Sequence, residues 1–254
     1  MFSDLWHKTP LIFLLFLMGC QNDPSPIMKA EQHVVKESLG VDSAVHRTVQ
    51  PYKKELDSSM KVLLGYSKHT LRKGKPEGPL GNFVADLILE RTQAWAHRND
   101  RDSIDMALMN NGGLRRPIPE GPVRKGRIYR LMPFENLVEV VELDHSAMKE
   151  LFSYLADRPQ PIAGAELEIR KGKVQRARIG NRALDRSRTY RIATSNFLAE
   201  GGVGMDFLQD PLDRTSTGIK VRDMIIRHIK ALHAAGDSIN GKKDGRIRRT
   251  KEAS

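Results

Sequence analysis

Between Leu80 and Leu232 the apolar residues change period repeatedly, and this alternation most constrains the fold. Leu80, Phe83, Val84, Leu87, Ile88 and Trp95 recur at helical spacing within Leu80–His97. Ile104–Met109 is a short apolar run suited to a buried strand, closed by the turn signal Gly112-Gly113. Leu137–Leu143 (LVEVVEL) alternates in part and reads as a strand, followed by a helix over Ser146–Ala156. Ala165–Arg170 and Lys173–Ile179 flank Lys171-Gly172, a hairpin signal, and Tyr190–Thr194 reads as a further strand. Lys53–Leu64 upstream is helix-like, and Val221–Leu232 is an amphipathic helix. Helices interleaved with strands and at least one hairpin require a mixed α/β class with a mixed sheet.

The chain of 254 residues is long enough for one large domain or two small ones. Its 39% apolar residues and 20 glycines suit a globular core and exclude collagen-like, coiled-coil and wholly disordered chains. Lys and Arg number 42 against 31 Asp and Glu, a net charge of +11 that favours anionic partners. Cys20 is the sole cysteine, so no intramolecular disulfide forms.

Leu11–Met18 (LIFLLFLM) is too short to span a bilayer and has the size of a secretory signal core, with Lys8 ahead of it. Its ending, Leu17-Met18-Gly19-Cys20, resembles the bacterial lipobox, in which the cysteine is acylated. The expected organisation is a lipoprotein signal peptide over 1–19, a polar tether over 20–48, a globular domain over 49–248 and a basic tail over 249–254. Gly241–Ser254 carries six basic and two acidic residues and reads as a solvated tail. The expected location is outside the cytoplasm, anchored by lipid on Cys20 to a bacterial membrane.

Three loops carry candidate chemistry. Asn110-Asn111-Gly112-Gly113-Leu114-Arg115 follows a buried strand. Its glycines let the backbone approach a ligand, and Arg115, with Arg116, offers bidentate donors to phosphate or carboxylate. Pro133-Phe134-Glu135-Asn136 presents Phe134 as a stacking surface. Asn196-Phe197 runs into the glycine loop Gly201-Gly202-Val203-Gly204 and offers a second ring. Two such rings suit a nucleobase slot, although for each ring alone core packing is the alternative reading.

Other chemistry is excluded by what is missing. The eight histidines are scattered, with no His-x-His, Asp-x-His, HExxH, Gly-x-Ser-x-Gly or P-loop. A dinuclear phosphoesterase centre needs clustered His, Asp and Asn ligands, and none assemble from this sequence.

In order, these motifs resemble the C-terminal domain of the 5′-nucleotidase family. Leu80-Gly81-Asn82-Phe83-Val84-Ala85-Asp86 matches its Leu-Gly-Asn-x-x-x-Asp helix start. Asn110 to Arg115 matches its Asn-Gly-Gly-Gly-x-Arg turn, Pro133 to Asn136 its Pro-Phe-x-Asn loop, and Asn196 to Gly204 its aromatic glycine loop. Gly245-Arg246-Ile247 matches its closing segment. The resemblance implies a layered α/β/β/α sandwich and a stand-alone bacterial lipoprotein lacking the metallophosphoesterase domain. It implies nucleotide binding, with Phe134 and Phe197 on the base, Asn136 in contact with it, and Asn110, Gly112, Gly113 and Arg115 at the phosphate or the turn that meets it. It assigns no catalytic residue, metal or cofactor to this chain and expects a divalent metal pair on a separately encoded metallophosphoesterase partner.

Two positions depart from the family pattern. Val203 stands where the family carries an Asp that accepts from ribose hydroxyls, so ribose recognition is either weakened or supplied by Glu200 or Asp206. The family's arginine upstream of the Leu-Gly-Asn helix has no evident match, with Arg72, Lys73 or Lys75 as stand-ins. The function expected is the nucleotide-binding half of a 5′-nucleotidase-type phosphohydrolase. The alternative is a non-catalytic nucleoside- or nucleotide-binding lipoprotein. A third reading uses the positive charge and basic tail for attachment to nucleic acid or an anionic surface, but nucleic acid is not among the expected partners of the first two.

Overall fold

The computed structural model describes residues 42–250, so the expectations for the signal segment, for Cys20 and for most of the tether lie outside the described residues. Contacts divide the chain at His46/Arg47, and the fold described below belongs to the second unit. Helix α1 spans Ser43–Met60, its first four residues belonging to the first unit, and continues through Pro51. The sequence reading starts the helix only at Lys53, after this proline, whose missing N–H removes one intrahelical hydrogen bond. The same reading carries the helix to Leu64, whereas Leu63–Ser67 is strand β1, paired antiparallel with β3 (Gly121–Arg124). Tertiary pairing overrides helical spacing there.

A five-stranded sheet forms the centre, in the order β10 (Asp213–Lys220), β4 (Leu137–Leu143), β9 (Tyr190–Ser195), β2 (Met106–Leu108) and β5 (Ile162–Ala163). β2 and β9 run parallel, and the other neighbours are antiparallel. Strands β4, β9 and β2 are buried on both faces. Val138, Val140, Ala107 and Ala193 point to one core, with α2 (Pro79–Arg98) and α6 (Val221–Ala234). Val141, Leu143, Met106, Leu108 and Ile192 point to the other, with α4 (His145–Asp157) and the sheet β11-β6-β7-β8. That second sheet comprises β6 (Ala165–Arg170), β7 (Lys173–Ile179), β8 (Arg182–Ala183) and β11 (Ile247–Arg249). Each fully buried aliphatic side chain contributes roughly 1.5–3 kcal/mol, so the period-2 alternation of β4 fixes its register between two cores. The result is the layered mixed α/β fold expected from the sequence.

The hairpin at Lys171-Gly172 forms as read, both residues taking positive φ. Residues 242–250 are not a free tail. β11 pairs parallel with β6, Ile247 is buried, and Arg246 bonds Asp86 (2.5 Å), Asp244 (2.5 Å) and the carbonyl of Ile162 (2.8 Å). Burial opposes the charge on Arg246, but its bonds to the two carboxylates outweigh that and raise its pKa. Asp244 is held below the usual carboxylate range chiefly by its bond to Arg246. No described helix is long and apolar enough to cross a membrane.

Candidate functional site

The topology explains why three loops far apart in sequence converge. β2 and β9 are parallel neighbours, with Ala107 opposite Ala193, so both chains leave the sheet at the same end. β4 is antiparallel to β9, with Val138 opposite Ser195, so it enters the sheet at that end. The loops after β2, before β4 and after β9 therefore share one edge, outside the carboxyl ends of two parallel strands, where open α/β sheets form crevices.

They enclose a cleft of about 250 Å³ lined by Asn110, Gly112, Gly113, Arg115, Phe134, Asn136, Phe197 and Val203. All seven candidate ligand-binding residues read from the sequence thus lie in one place. Core packing is not the role of either ring, since Phe134 and Phe197 are each 40% exposed.

In the first loop, Gly113 N–H donates to the Asn110 carbonyl at 3.1 Å and Asn111 N–H to Gln160 Oε1 at 2.9 Å. A side chain on Gly113 would meet Asn110 Oδ1 at 2.9 Å, so glycine keeps this turn tight against the buried Asn110. The Arg115 backbone N–H is anchored on Leu131, and its guanidinium lies 5.9 Å from the centre of the Phe134 ring. Of the three basic stand-ins upstream, Lys73 reaches this turn, its Nζ donating to the Asn111 carbonyl at 3.2 Å.

The second loop is held by charge. Glu135, between Phe134 and Asn136, accepts from Lys220 and Arg222. Those bonds hold its carboxyl below the usual range. Arg222 is buried and its guanidinium stacks 4.2 Å from the Tyr129 ring centre, a cation–π contact that fixes it. The Asn136 carbonyl accepts from Val221 N–H at 2.9 Å.

The third loop begins with the short helix α5 (Asn196–Ala199), capped by Ser195 Oγ. Asn196 Oδ1 accepts from Leu137 N–H at 3.0 Å, joining the third loop to the second. A side chain on Gly202 would fall 2.6 and 2.7 Å from two ring carbons of Phe197, so this glycine backs the ring. Val203 has φ 58° and ψ 23°, a left-handed conformation that costs a β-branched residue about 1–3 kcal/mol. Its carbonyl accepts from Tyr154 Oη at 2.8 Å, and Gly201 and Gly204 on either side are also left-handed. Glu200 and Asp206 do not line the cleft, and Glu200 is bonded to Arg214 at 3.2 Å. Sequence reasoning missed Asn196, Tyr154, Lys220 and Arg222 as supports. Only Asn196 carried a signal, its place beside Phe197.

The other two motifs hold each other rather than the cleft. Asn82, buried in the first turn of α2, donates to Glu77 Oε2 and the Lys242 carbonyl, while Glu77 Oε1 accepts from Gly245 N–H. Asp86 takes Arg246. The chain matches the family model for the 5′-nucleotidase C-terminal domain over residues 59–210. It belongs to that family. Among relatives, it is 27% identical over 198 residues to the 5′-nucleotidase of Vibrio cholerae, covering 75% of this chain and 34% of that protein. It is 26% identical over 220 residues to a trifunctional nucleotide phosphoesterase of Bacillus subtilis, covering 78% and 14%. The chain thus spans about a third of the length of the first of these relatives and a seventh of the second. The crystal structure of a Thermus thermophilus 5′-nucleotidase precursor superimposes with TM-score 0.69 at 22% identity, covering 83% of this chain and 44% of that one. The family fold is therefore shared where sequence has diverged widely.

Among the described residues, no three His, Cys, Asp or Glu side chains come together as a group able to hold a metal ion. The donor set of the cleft, two amides and a guanidinium, fits an anion and a planar ring and does not fit a metal pair.

Proposed function

We propose that this chain is the nucleotide-recognition part of a 5′-nucleotidase-type phosphohydrolase. The observation that carries the reading is the convergence of two half-exposed rings, Phe134 and Phe197, with Arg115 in one cleft. A base stacks on the rings, contributing ~1–3 kcal/mol. Asn136 meets the edge of the base. Arg115 draws the phosphate with the Asn110–Gly113 turn, whose backbone approaches an anion closely.

Hydrolysis in this reading belongs to a separately encoded metallophosphoesterase that carries the metal pair, while this chain orients the substrate. Export and lipid attachment at Cys20 would place both outside the cytoplasm. Mass spectrometry of the mature N-terminus tests that attachment.

The central experiment measures binding of nucleoside monophosphates to the purified chain and to its Phe134→Ala and Phe197→Ala variants. Saturable binding that both substitutions weaken supports the reading, and absence of nucleotide binding overturns it. A second reading, capture without hydrolysis, is favoured by Val203 at the cleft, where the family pattern carries an acidic ribose contact. Phosphate release on mixing with the metallophosphoesterase decides between them.

A further inference from the structure

We infer that Val203 makes this cleft select ligands whose ring substituent is poor in hydroxyls, which among nucleotides means the 2′-deoxy series. The inference rests on the nucleotide reading of the cleft. The hydrogen-bonding side chains of the lining, Asn110, Arg115 and Asn136, belong to the first two loops. From the third loop the lining has only Phe197 and Val203, neither with a side chain able to form a hydrogen bond. Neither carboxylate of that stretch, Glu200 or Asp206, reaches the lining.

A base stacked between the rings sends its sugar out in the plane of the base. On the third-loop side that sugar meets hydrocarbon. A hydroxyl held there loses its water and gains no acceptor, whereas a methylene packs against the isopropyl group.

Val203 cannot easily turn away. Its backbone is left-handed, which a β-branched residue adopts only when its surroundings impose it. Those surroundings are visible: Tyr154 holds its carbonyl, Gly202 before it lies against the Phe197 ring, and Gly204 after it is left-handed. The side chain is 41% exposed, open to a ligand.

The test is calorimetric titration of the full chain with matched pairs, AMP against dAMP and GMP against dGMP. The deoxy member of each pair should bind about tenfold tighter, the penalty for one desolvated hydroxyl. Val203→Asp should remove or reverse that ratio. Val203→Gly, which relieves the backbone strain and so folds at least as well, should bring it near one. Equal or tighter binding of the ribonucleotides by the wild-type chain overturns the inference while leaving the nucleotide reading in place. So does a ratio that neither variant changes. Binding of no nucleotide at all overturns both.

Discussion

Asn196 Oδ1 accepts a hydrogen bond from the backbone N–H of Leu137 at 3.0 Å, so the loop carrying Phe197 is tied directly to the loop carrying Phe134. The bond lies where β9 ends and β4 begins, next to Phe197 on one side and Asn136 on the other. Asn196→Ala leaves the Leu137 N–H without its partner and should cost about 1–2 kcal/mol of stability. Nucleotide affinity should fall further than the melting shift explains, because the rings lose their common anchor. Melting and titration on one preparation check this.

The two rings make a sharper prediction. Both are exposed by two fifths, so truncation to alanine should cost about 1 kcal/mol of stability, well under the ~3–5 kcal/mol of a buried Phe. Base binding should weaken by roughly 1–3 kcal/mol for each. The reverse pattern, a large melting shift with unchanged affinity, would assign the rings to packing.

Gly202→Ala should displace the Phe197 ring, since the added carbon would lie 2.4 Å from the Phe197 carbonyl and 2.6 Å from its ring. Such overpacking costs typically ~1–3 kcal/mol. A crystal structure or aromatic NMR shifts of the variant should show Phe197 moved.

Acid should release the second loop. The Glu135 carboxyl is held below its ordinary range by its bonds to Lys220 and Arg222. A depressed carboxylate contributes above its unfolded-state pKa and stops contributing as pH falls through its folded-state value. Binding of uridine, which carries no phosphate and whose base does not titrate in acid, should therefore be flat down through the ordinary carboxylate range and decline only below it. Glu135→Gln should bind as weakly at neutral pH as the wild type does in acid.

Arg246→Ala should lower stability by about 2 kcal/mol, as it leaves a buried carbonyl and two carboxylates without their shared donor. Nucleotide affinity should be unchanged, because Arg246 lies outside the cleft lining.

Much of this was legible in the residues themselves. Leu137–Leu143 and the hairpin Ala165–Ile179 were readable to the residue because alternation and a Lys-Gly turn state their own register. Lys125–Leu131 (α3) and Asp213–Lys220 were not, since the helix is seven residues long and the edge strand is mostly polar. The seven cleft residues were readable because glycine and aromatic loop motifs keep their spacing. Their supports were not: the grip of Lys220 and Arg222 on Glu135 spans more than eighty positions and exists only after the sheet forms.

The pairing of β11 with β6 has a practical corollary for anyone preparing this polypeptide. A boundary drawn at Lys242, where charge and low hydropathy invite a cut, would strip an edge from the small sheet and leave Asp86 facing solvent alone. Expression clones should therefore run through Thr250, whose own N–H still donates to Ile169, and place any purification handle beyond it.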